Sequence, residues 1–408
     1  MLYPYLSQLL FKQHKPALVF FAGATGKSMA ANALATAMRH IPQPPLFLHA
    51  VVDLPQAVVT LQSRSLLGSV AAIVRKQPYP TVLAVEAHEA MNNAATAHLL
   101  PLASKILVVL CPFTHTGQES RSAIERYVKS ELAFVLDRAA DTHLVYQADT
   151  PHISEVVSDL GFKQQTAVSF DKPSDIQALT IDVLADEAAT LDGRWSGVHA
   201  KMRMGGSTLP FLAHGGIGRT HVLAGMYAVA AAKWLGVNPI DALQSLRSYL
   251  PLPGRMTLIP GVKKTMLVDD TYDADVDSVM HALRDVSALP LTKEHKRFAV
   301  LGELSDTGAE SEELHAQVGE SAAQLGYSMV IAVGEKAADI ARGAQRGGLD
   351  TNMIFHFADK TEAGKFVQRV IKKGDLALIA GAASQKYETI VKELMAFPLK
   401  AKTDLLQR

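Results

Sequence analysis

The stretch with the clearest chemical potential is Gly23-Ala24-Thr25-Gly26-Lys27-Ser28. It follows an apolar, β-prone run at residues 18–21 and precedes an alanine-rich segment, 30–39, that predicts a helix. Glycines let the backbone approach phosphate oxygens, and amide groups at the start of a helix point at an anion. Lys27 adds a mobile cation, and the Ser28 hydroxyl can ligate Mg²⁺. The spacing predicts a short phosphate-binding loop. The alternative is a glycine turn that merely begins an ordinary helix.

Three more residues could act beside such a loop. Glu86 ends an apolar run, His115 follows the apolar run 106–110, and Lys129 lies in a predicted helix, 119–137. The carboxyl ends of strands in a doubly wound sheet face the ligand crevice, so Glu86 and His115 could hold Mg²⁺ there. Each residue also has a plain alternative: a solvated rim carboxylate, a solvated loop histidine and a surface lysine.

The elements that must position these residues alternate between β-prone runs and helical patterns. Such alternation predicts α/β architecture, with a mostly parallel, doubly wound sheet in the first part of the chain. An antiparallel hairpin is predicted over 198–213, followed by a long helix, 220–235, that ends at Gly236. Pro251-Leu-Pro-Gly254 predicts a domain boundary, so we expect domains at 1–250 and 251–408. The strands predicted in the two domains are 18–21, 46–49, 81–86, 106–110 and 143–146, then 265–268, 298–301, 329–333, 353–355 and 376–379.

Composition narrows the function classes. With 408 residues, two or three domains are expected. Lys plus Arg and Asp plus Glu both number 40, so no global field favours nucleic acid or an anionic membrane. Cys111 is the single cysteine, which excludes an intrachain disulfide and indicates a reducing compartment. No secretion signal and no run near the roughly 20 apolar residues of a membrane span is present. We expect a cytoplasmic protein with no membrane partner.

Taken in order, these motifs resemble the Mur ligase family. The loop, Glu86, His115 and a lysine fourteen residues later form one series with family-like spacing. The resemblance is greatest to the branch that adds D-alanyl-D-alanine to a UDP-muramoyl tripeptide. Further matching segments are Tyr146-Gln-Ala-Asp-Thr-Pro151, Pro251-Leu-Pro-Gly-Arg255, Leu267-Val-Asp-Asp-Thr-Tyr-Asp-Ala274, Val300-Leu-Gly-Glu-Leu304 and Leu314-His-Ala-Gln-Val-Gly319.

The resemblance implies an ATP-binding central domain of the P-loop type, followed by a Rossmann-like C-terminal domain. It implies an ADP-forming ligase that uses ATP and Mg²⁺ to join a small-molecule carboxylate to an amine through an acyl phosphate, in the family's setting of peptidoglycan synthesis. Lys27 and a carbamylated Lys129 would be catalytic, with Glu86 and His115. The nucleotide would contact Gly23, Ala24, Thr25, Gly26, Lys27, Ser28, His221, Arg255 and Asp270, and the metal would contact Ser28, Glu86, His115 and Lys129.

The sequence also departs from the family pattern. Only a short lead-in precedes the loop, where the branch carries a UDP-sugar domain. Thr220-His221 stands where the branch has His-Asn, and Ala380-Gly-Ala-Ala-Ser384 stands where it has Lys-Gly-Ser-Arg. These changes favour an altered substrate. The alternative is a non-catalytic or partner-dependent nucleotide-binding protein, in which a protein partner supplies the missing substrate domain.

Overall fold

The computed structural model describes residues 2–40, 45–51, 79–87, 94–112, 120–185, 195–305 and 307–406. The chain divides into two compact units. The last segment of the first unit ends at Tyr249 and the last segment of the second begins at Leu250, close to the predicted boundary. The division into domains 1–250 and 251–408 stays a prediction, because two earlier segments group with the second unit. The first unit comprises Met1–Thr180, Ala200–Phe211 and Leu223–Tyr249, and the second comprises Ile181–His199, Leu212–Val222 and Leu250–Arg408.

The larger sheet contains nine strands among the described residues, in the order β2-β3-β1-β4-β5-β6-β7-β8-β9. Every pairing from β2 to β7 is parallel, which confirms the predicted doubly wound sheet. Strands β8 and β9 flank the two-residue turn Gly205-Gly206, whose positive φ angles suit a tight antiparallel hairpin. The strands are β1 Ala17–Ala22, β2 Leu46–Val51, β3 Val82–Ala87, β4 Ile106–Leu110, β5 Thr142–Gln147, β6 Gln164–Ser169, β7 Ile176–Ala185, β8 Trp195–Met204 and β9 Ser207–His214.

Helices accompany these strands. They are α1 Leu2–His14, α2 Lys27–Ala37, α3 Ala94–Leu99, α4 Arg121–Glu131, α5 Ile153–Asp159, α6 Arg219–Trp234 and α7 Pro239–Leu246. The prediction that one helix runs to residue 137 was wrong, because α4 ends at Glu131. Leu132, Phe134 and Val135 are all buried beyond that point, and the faces of a continuing helix could not bury all three. Within the described residues, no helix is long and apolar enough to cross a bilayer.

The second unit contains a sheet of six described strands, in the order β10-β11-β15-β12-β13-β14. All of its pairings are parallel except the one between β10 and β11, which is antiparallel. Strand β10 lies at the edge of the sheet and ends at Pro260. The strands are β10 Thr257–Pro260, β11 Met266–Asp270, β12 Arg297–Gly302, β13 Met329–Val333, β14 Ile354–Phe357 and β15 Leu376–Ala380. The helices are α8 Val276–Ser287, α9 Ser311–Gln324, α10 Ala338–Arg346, α11 Lys360–Val370, α12 Glu388–Leu394 and α13 Ala401–Asp404.

Helices α9 and α10 approach each other through glycines. A Cβ atom on Gly319 would meet the carbonyl oxygen of Ile340, and one on Gly343 would meet the carbonyl oxygen of Ala316. Backbone atoms cannot move aside as a flexible side chain can. The two glycines are therefore required by packing, although glycine weakens a helix interior.

We expect Gly343→Ala to lower the free energy of unfolding by about 1–3 kcal/mol, because the new methyl group overpacks the α9–α10 contact. Gly364→Ala in α11 is the matched control, since its Cβ would lie at an ordinary 3.4 Å from Glu393. That change should raise stability by about 0.5–1 kcal/mol through helix propensity. Urea unfolding measures both; equal effects of the two substitutions would contradict the close-contact argument.

Candidate functional site

The glycine loop joins β1 to α2 and needs both of its glycines. Gly23 has φ 114°, and a Cβ there would meet the carbonyl oxygen of Cys111. Gly26 has φ 82° at the position that precedes α2, where a Cβ would meet nothing within 4 Å. Gly23 is thus required by space and by conformation, whereas Gly26 is required by conformation alone.

Two amides of the loop face acceptors inside the first unit. The Gly23 N–H donates to Glu131 Oε2 over 2.8 Å, and the Thr25 N–H donates to the carbonyl oxygen of Pro112 over 3.1 Å. Gly23 itself is buried, while Ala24 is exposed. Because these two amides already have acceptors, they are not available for the phosphate contacts predicted at Gly23 and Thr25. Phosphate contacts at the start of α2, where the helix dipole is positive, stay a prediction.

Lys27 bends back over this loop. Its ammonium donates to the carbonyl oxygen of Gly23 and, over 3.4 Å, to that of Ala24. Both acceptors are neutral carbonyls, and a charge-assisted hydrogen bond to a phosphate is stronger than a bond to such a group. Lys27 is thus held where an incoming anion could draw it away.

Ser28 and Glu86 come together, as the sequence predicts. Strand β3 pairs with β1 so that Glu86 lies opposite Phe21, which carries its carboxylate to the loop edge of the sheet. The Ser28 hydroxyl donates to Glu86 Oε2 over 3.1 Å. A hydroxyl and a carboxylate oxygen at this spacing suit a hard cation such as Mg²⁺. Among the described residues, no cluster of three or more His, Cys, Asp or Glu side chains could hold a metal, and His115 lies outside those residues.

Lys129 does not reach the loop in this structure. Its ammonium forms an ion pair with Glu125 one turn earlier in α4, at 2.6 Å, and its side chain is 51% exposed. Glu131, two residues further on, is the α4 residue that contacts the loop. The predicted catalytic role of Lys129 stays a prediction that this geometry does not support.

Charges from three elements surround Cys111, at the end of β4. Burial raises the pKa of its thiol to about 12; Lys27 opposes that rise, while Glu86 and Glu131 add to it. The thiol is therefore neutral near pH 7, and Cys111 is buried as a small core residue. The charged side chains of Lys27, Glu86 and Glu131 therefore all lie close enough to Cys111 to influence its thiol.

In the second unit, Arg255 is held by two neighbours. Its guanidinium pairs with Asp273 at 2.8 Å and stacks 3.8 Å from the centre of the Tyr272 ring. Asp270 is buried and accepts from the Met256 N–H over 3.2 Å. Burial, together with the nearby Asp273 charge, raises the pKa of Asp270 well above its usual range. Arg255 and Asp270 thus share a polar cluster whose nucleotide contacts stay predictions.

His221 lies inside the second unit. Its ring is fully buried and within 3.4 Å of the carbonyl oxygen of Met256, and a Cβ on Gly216 would collide with it. Burial lowers the pKa of His221 to about 4, so the ring is neutral near pH 7. The nucleotide contact predicted for this histidine would require the ring to leave its buried position, and the geometry supports a packing role.

Parts of this chain are similar to known proteins. Residues 254–383 match the family described as "Mur ligase, glutamate ligase domain". The UDP-N-acetylmuramoyl-tripeptide–D-alanyl-D-alanine ligase of Escherichia coli is 30% identical over 180 residues, which cover 43% of this chain and 37% of that ligase. Its Bacillus subtilis counterpart is 28% identical over 183 residues, 45% of this chain and 39% of that protein. Over these matched residues the chain is similar to Mur ligases. It spans about two fifths of the length of these curated relatives.

Solved structures of Mur ligases share the α/β fold. The MurF ligase from Thermotoga maritima, in complex with ADP, superposes with a TM-score of 0.72 at 16% identity, over 96% of this chain and 82% of that one. MurF from Acinetobacter baumannii gives a TM-score of 0.67 at 17% identity, over 96% and 78%. The predicted α/β fold is thereby confirmed.

Sequence reasoning missed Glu131, although a signal was present. Ile124 and Val128 are the buried residues of α4, and Glu131 continues the same face at the spacing i, i+4, i+7. A carboxylate on the apolar face of an amphipathic helix must find a donor. The pattern could have identified Glu131 as a functional candidate, but not its partner.

A buried acid beside Asp270 predicts how stability depends on pH. Asp269 is fully buried; Thr271 Oγ1 donates to its Oδ1 over 2.7 Å, and its Oδ2 has no hydrogen-bond partner among the described residues. Burial raises the pKa of Asp269 to about 6. Because this lies above the value of an unfolded chain, the folded state holds the proton more tightly. The free energy of unfolding should therefore fall as pH rises from about 4 to about 6, then level off.

We expect Asp269→Asn to remove up to about 3 kcal/mol of that fall, since the amide does not titrate. The measurement is urea unfolding at about pH 4.5 and about pH 7. Glu362→Gln, which changes an exposed carboxylate on α11, is the control and should leave the pH dependence as in the wild type. An unchanged slope in Asp269→Asn would show that Asp269 titrates normally.

Proposed function

We propose that this protein is an ATP- and Mg²⁺-dependent ligase that joins a small-molecule carboxylate to an amine. The observation that carries the proposal is the pairing of Ser28 with Glu86 beside the Lys27 loop, in a chain homologous to the Mur ligases. A flexible ammonium, a helix start and two oxygen ligands are what a triphosphate with its metal requires.

The loop residues have separate tasks in this proposal. The Lys27 ammonium leaves the Gly23 carbonyl and contacts the phosphates. Ser28 and Glu86 would hold Mg²⁺, which when bound offsets negative charge on the phosphates. Arg255, whose guanidinium pairs with Asp273 and stacks on Tyr272, is the proposed second phosphate contact, because its planar group can donate several hydrogen bonds at once.

The proposed chemistry has two transfers. A carboxylate oxygen of the acid attacks the γ-phosphorus of ATP, ADP leaves, and an acyl phosphate forms. The amine nitrogen then attacks the acyl carbon, phosphate leaves with the bonding electrons, and the nitrogen loses a proton. ADP, phosphate and an amide are the products. By likeness to its relatives, we propose a cytoplasmic reaction of cell-wall peptide synthesis.

We expect Lys27→Ala to weaken ADP binding about tenfold or more, because a charge-assisted contact to phosphate is lost. Lys163→Ala removes an exposed lysine of the same unit and should bind as the wild type does. Calorimetric titration with ADP measures binding, and ADP release in the presence of paired acids and amines measures turnover. If Lys27→Ala bound ADP as tightly as the wild type, the loop would not be the nucleotide site.

A second candidate is a partner-dependent nucleotide-binding protein. It is favoured by the apolar segment Ala380-Gly-Ala-Ala-Ser384, which begins at the end of β15 and carries no cation. This candidate predicts ADP binding without turnover by the chain alone. Adding a protein that supplies a UDP-sugar-binding domain should then start ADP release. Turnover by the chain alone would exclude it.

A further inference from the structure

The sheet of the second unit carries a concentration of lysines at one edge. It is the edge at which the parallel strands β11, β12 and β15 begin, whereas Asp270 ends β11 at the opposite edge. The segments that lead into these strands, 261–264, 292–296 and 372–375, contain six lysines and two acids. Their net charge is therefore +4, in a chain whose formal net charge is zero. The six lysines are all exposed, and they are Lys263, Lys264, Lys293, Lys296, Lys372 and Lys373.

Hydrogen bonds hold these three segments side by side. The buried Asp375 carboxylate accepts the N–H of Lys296 over 2.7 Å and the N–H of Lys372 over 2.8 Å. The Gly374 N–H donates to the carbonyl oxygen of Lys264 over 3.3 Å. The six lysines therefore belong to one surface, which we call the basic edge.

The basic edge presents a clear excess of positive charge to solvent. Asp375 is buried, so Glu294 is the one exposed acid of the three segments. The Lys263 ammonium donates to three backbone carbonyl oxygens at the end of α11, and neutral carbonyls do not cancel its charge. An extended anionic surface is the partner that such an edge would attract.

Two exposed apolar side chains lie beside the basic edge. Leu399 is 96% exposed, the highest value among the large apolar residues that the structure describes, and Phe397 is 56% exposed. The Ala396 N–H donates to the carbonyl oxygen of Pro260 over 2.8 Å, so the segment 397–400 begins next to the one that leads into β11. Lys400 adds a further cation, 5.5 Å from the centre of the Phe397 ring. Cations thus surround an apolar projection.

We propose that the basic edge docks on an anionic lipid bilayer, with Phe397 and Leu399 entering the headgroup region. Each lysine near an anionic membrane surface adds electrostatic attraction, and apolar side chains at the same place anchor the protein by burial. Lysine stems can lie along the interface while their ammonium groups contact lipid phosphates. The association is peripheral, and it does not depend on the proposed ligase activity.

Two features favour a lipid surface over a nucleic acid. The cations of the basic edge are lysines, whereas arginine is the residue whose planar group suits bidentate recognition of phosphates and bases. Leu399, moreover, offers neither a ring for base stacking nor a donor for a phosphate. Its exposed side chain gains from burial in a lipid interface, which a phosphate backbone does not offer.

Docking at this edge leaves the Arg255 and Asp270 cluster accessible to water. Strand β11 has five residues, so Asp270 lies about 13 Å along the strand from its first residue at the basic edge. The prediction of no membrane partner rested on the net charge of the whole chain, and an average over 408 residues does not reveal a local surface.

Vesicle co-sedimentation of the whole chain, without nucleotide, is the first test. Vesicles of about equal parts of phosphatidylglycerol and phosphatidylcholine should bind the protein at least about tenfold more tightly than pure phosphatidylcholine, because only the former are anionic. This binding should weaken as salt is added, since exposed charges are screened. Equal binding to both kinds of vesicle, or no binding to the anionic ones at low salt, would overturn the proposal.

Charge variants locate the contact. The first variant combines Lys293→Gln, Lys296→Gln and Lys372→Gln, which keep the backbone N–H groups that Asp375 accepts. It should bind anionic vesicles about tenfold or more weakly than the wild type. The matched control removes three exposed lysines elsewhere, Lys163→Gln, Lys201→Gln and Lys336→Gln, and should bind more tightly than that variant by about the same factor. Equal losses in the two triple variants would mean that the basic edge is not the docking surface.

Apolar variants test the anchor. Phe397→Ser with Leu399→Ser should lower the affinity for anionic vesicles about tenfold, because the apolar burial is lost. Tyr5→Ser with Ile240→Ser is the control, since these side chains are 63% and 57% exposed in the first unit, and it should bind as the wild type does. Wild-type binding by the Phe397 and Leu399 variant would contradict the proposed seating.

Fluorescence and a competing polyanion complete the test. Relative to the wild type, Leu399→Trp should add an emission that shifts to shorter wavelength with anionic vesicles, while the emission added by Ile240→Trp should not shift. A DNA duplex at the same salt should bind more weakly than the vesicles do. If the protein bound the duplex and not the vesicles, the basic edge would be a nucleic-acid site and the proposal would be wrong.

Discussion

The backbone N–H and the carbonyl oxygen of Gly23 both form hydrogen bonds with charged side chains, and the geometry of the candidate site depends on these two bonds. Glu131 takes the N–H and Lys27 the carbonyl oxygen, while the Cys111 carbonyl leaves no space for a Cβ. The chain must therefore turn at this point, and the turn sends α2 away from β1 with its amino end at the sheet edge. Ser28 reaches Glu86 because β3 lies beside β1. A displaced Gly23 would alter the start of α2 and the Ser28–Glu86 pair together.

Local patterns in the sequence account for most of the strands. Runs such as 106–110 and 329–333 are apolar over their full length, as strands buried on both faces must be. β6 and β10 could not be found in this way. Residues 164–169 are largely polar, and Pro260 argues against a central strand while it is acceptable on an edge. Edge and half-buried strands obtain their stability from neighbours, which no local window of sequence contains.

The same limit explains which site residues could be predicted. Gly26, Lys27 and Ser28 form one contiguous pattern, and Glu86 ends a recognisable strand. The contact between Gly23 and Glu131 joins residues 108 positions apart, so it depends on the packing of α4. His221 shows the converse: its place at the family's His-Asn segment implied a nucleotide contact, whereas the ring is buried near the Met256 carbonyl. Spacing along a chain indicates which chemistry is available; it does not show which way a side chain faces.

That distinction matters most for Lys129. A lysine fourteen residues after a histidine satisfies a family spacing, and the spacing survives in this chain. In this structure the Lys129 ammonium lies one turn from the Glu125 carboxylate and forms an ion pair with it. Glu131, displaced by two residues and therefore on the other side of the helix, is the anion that meets the loop. Two positions along a helix exchange one face for the other, so the spacing of a motif does not by itself show which side chain faces the site.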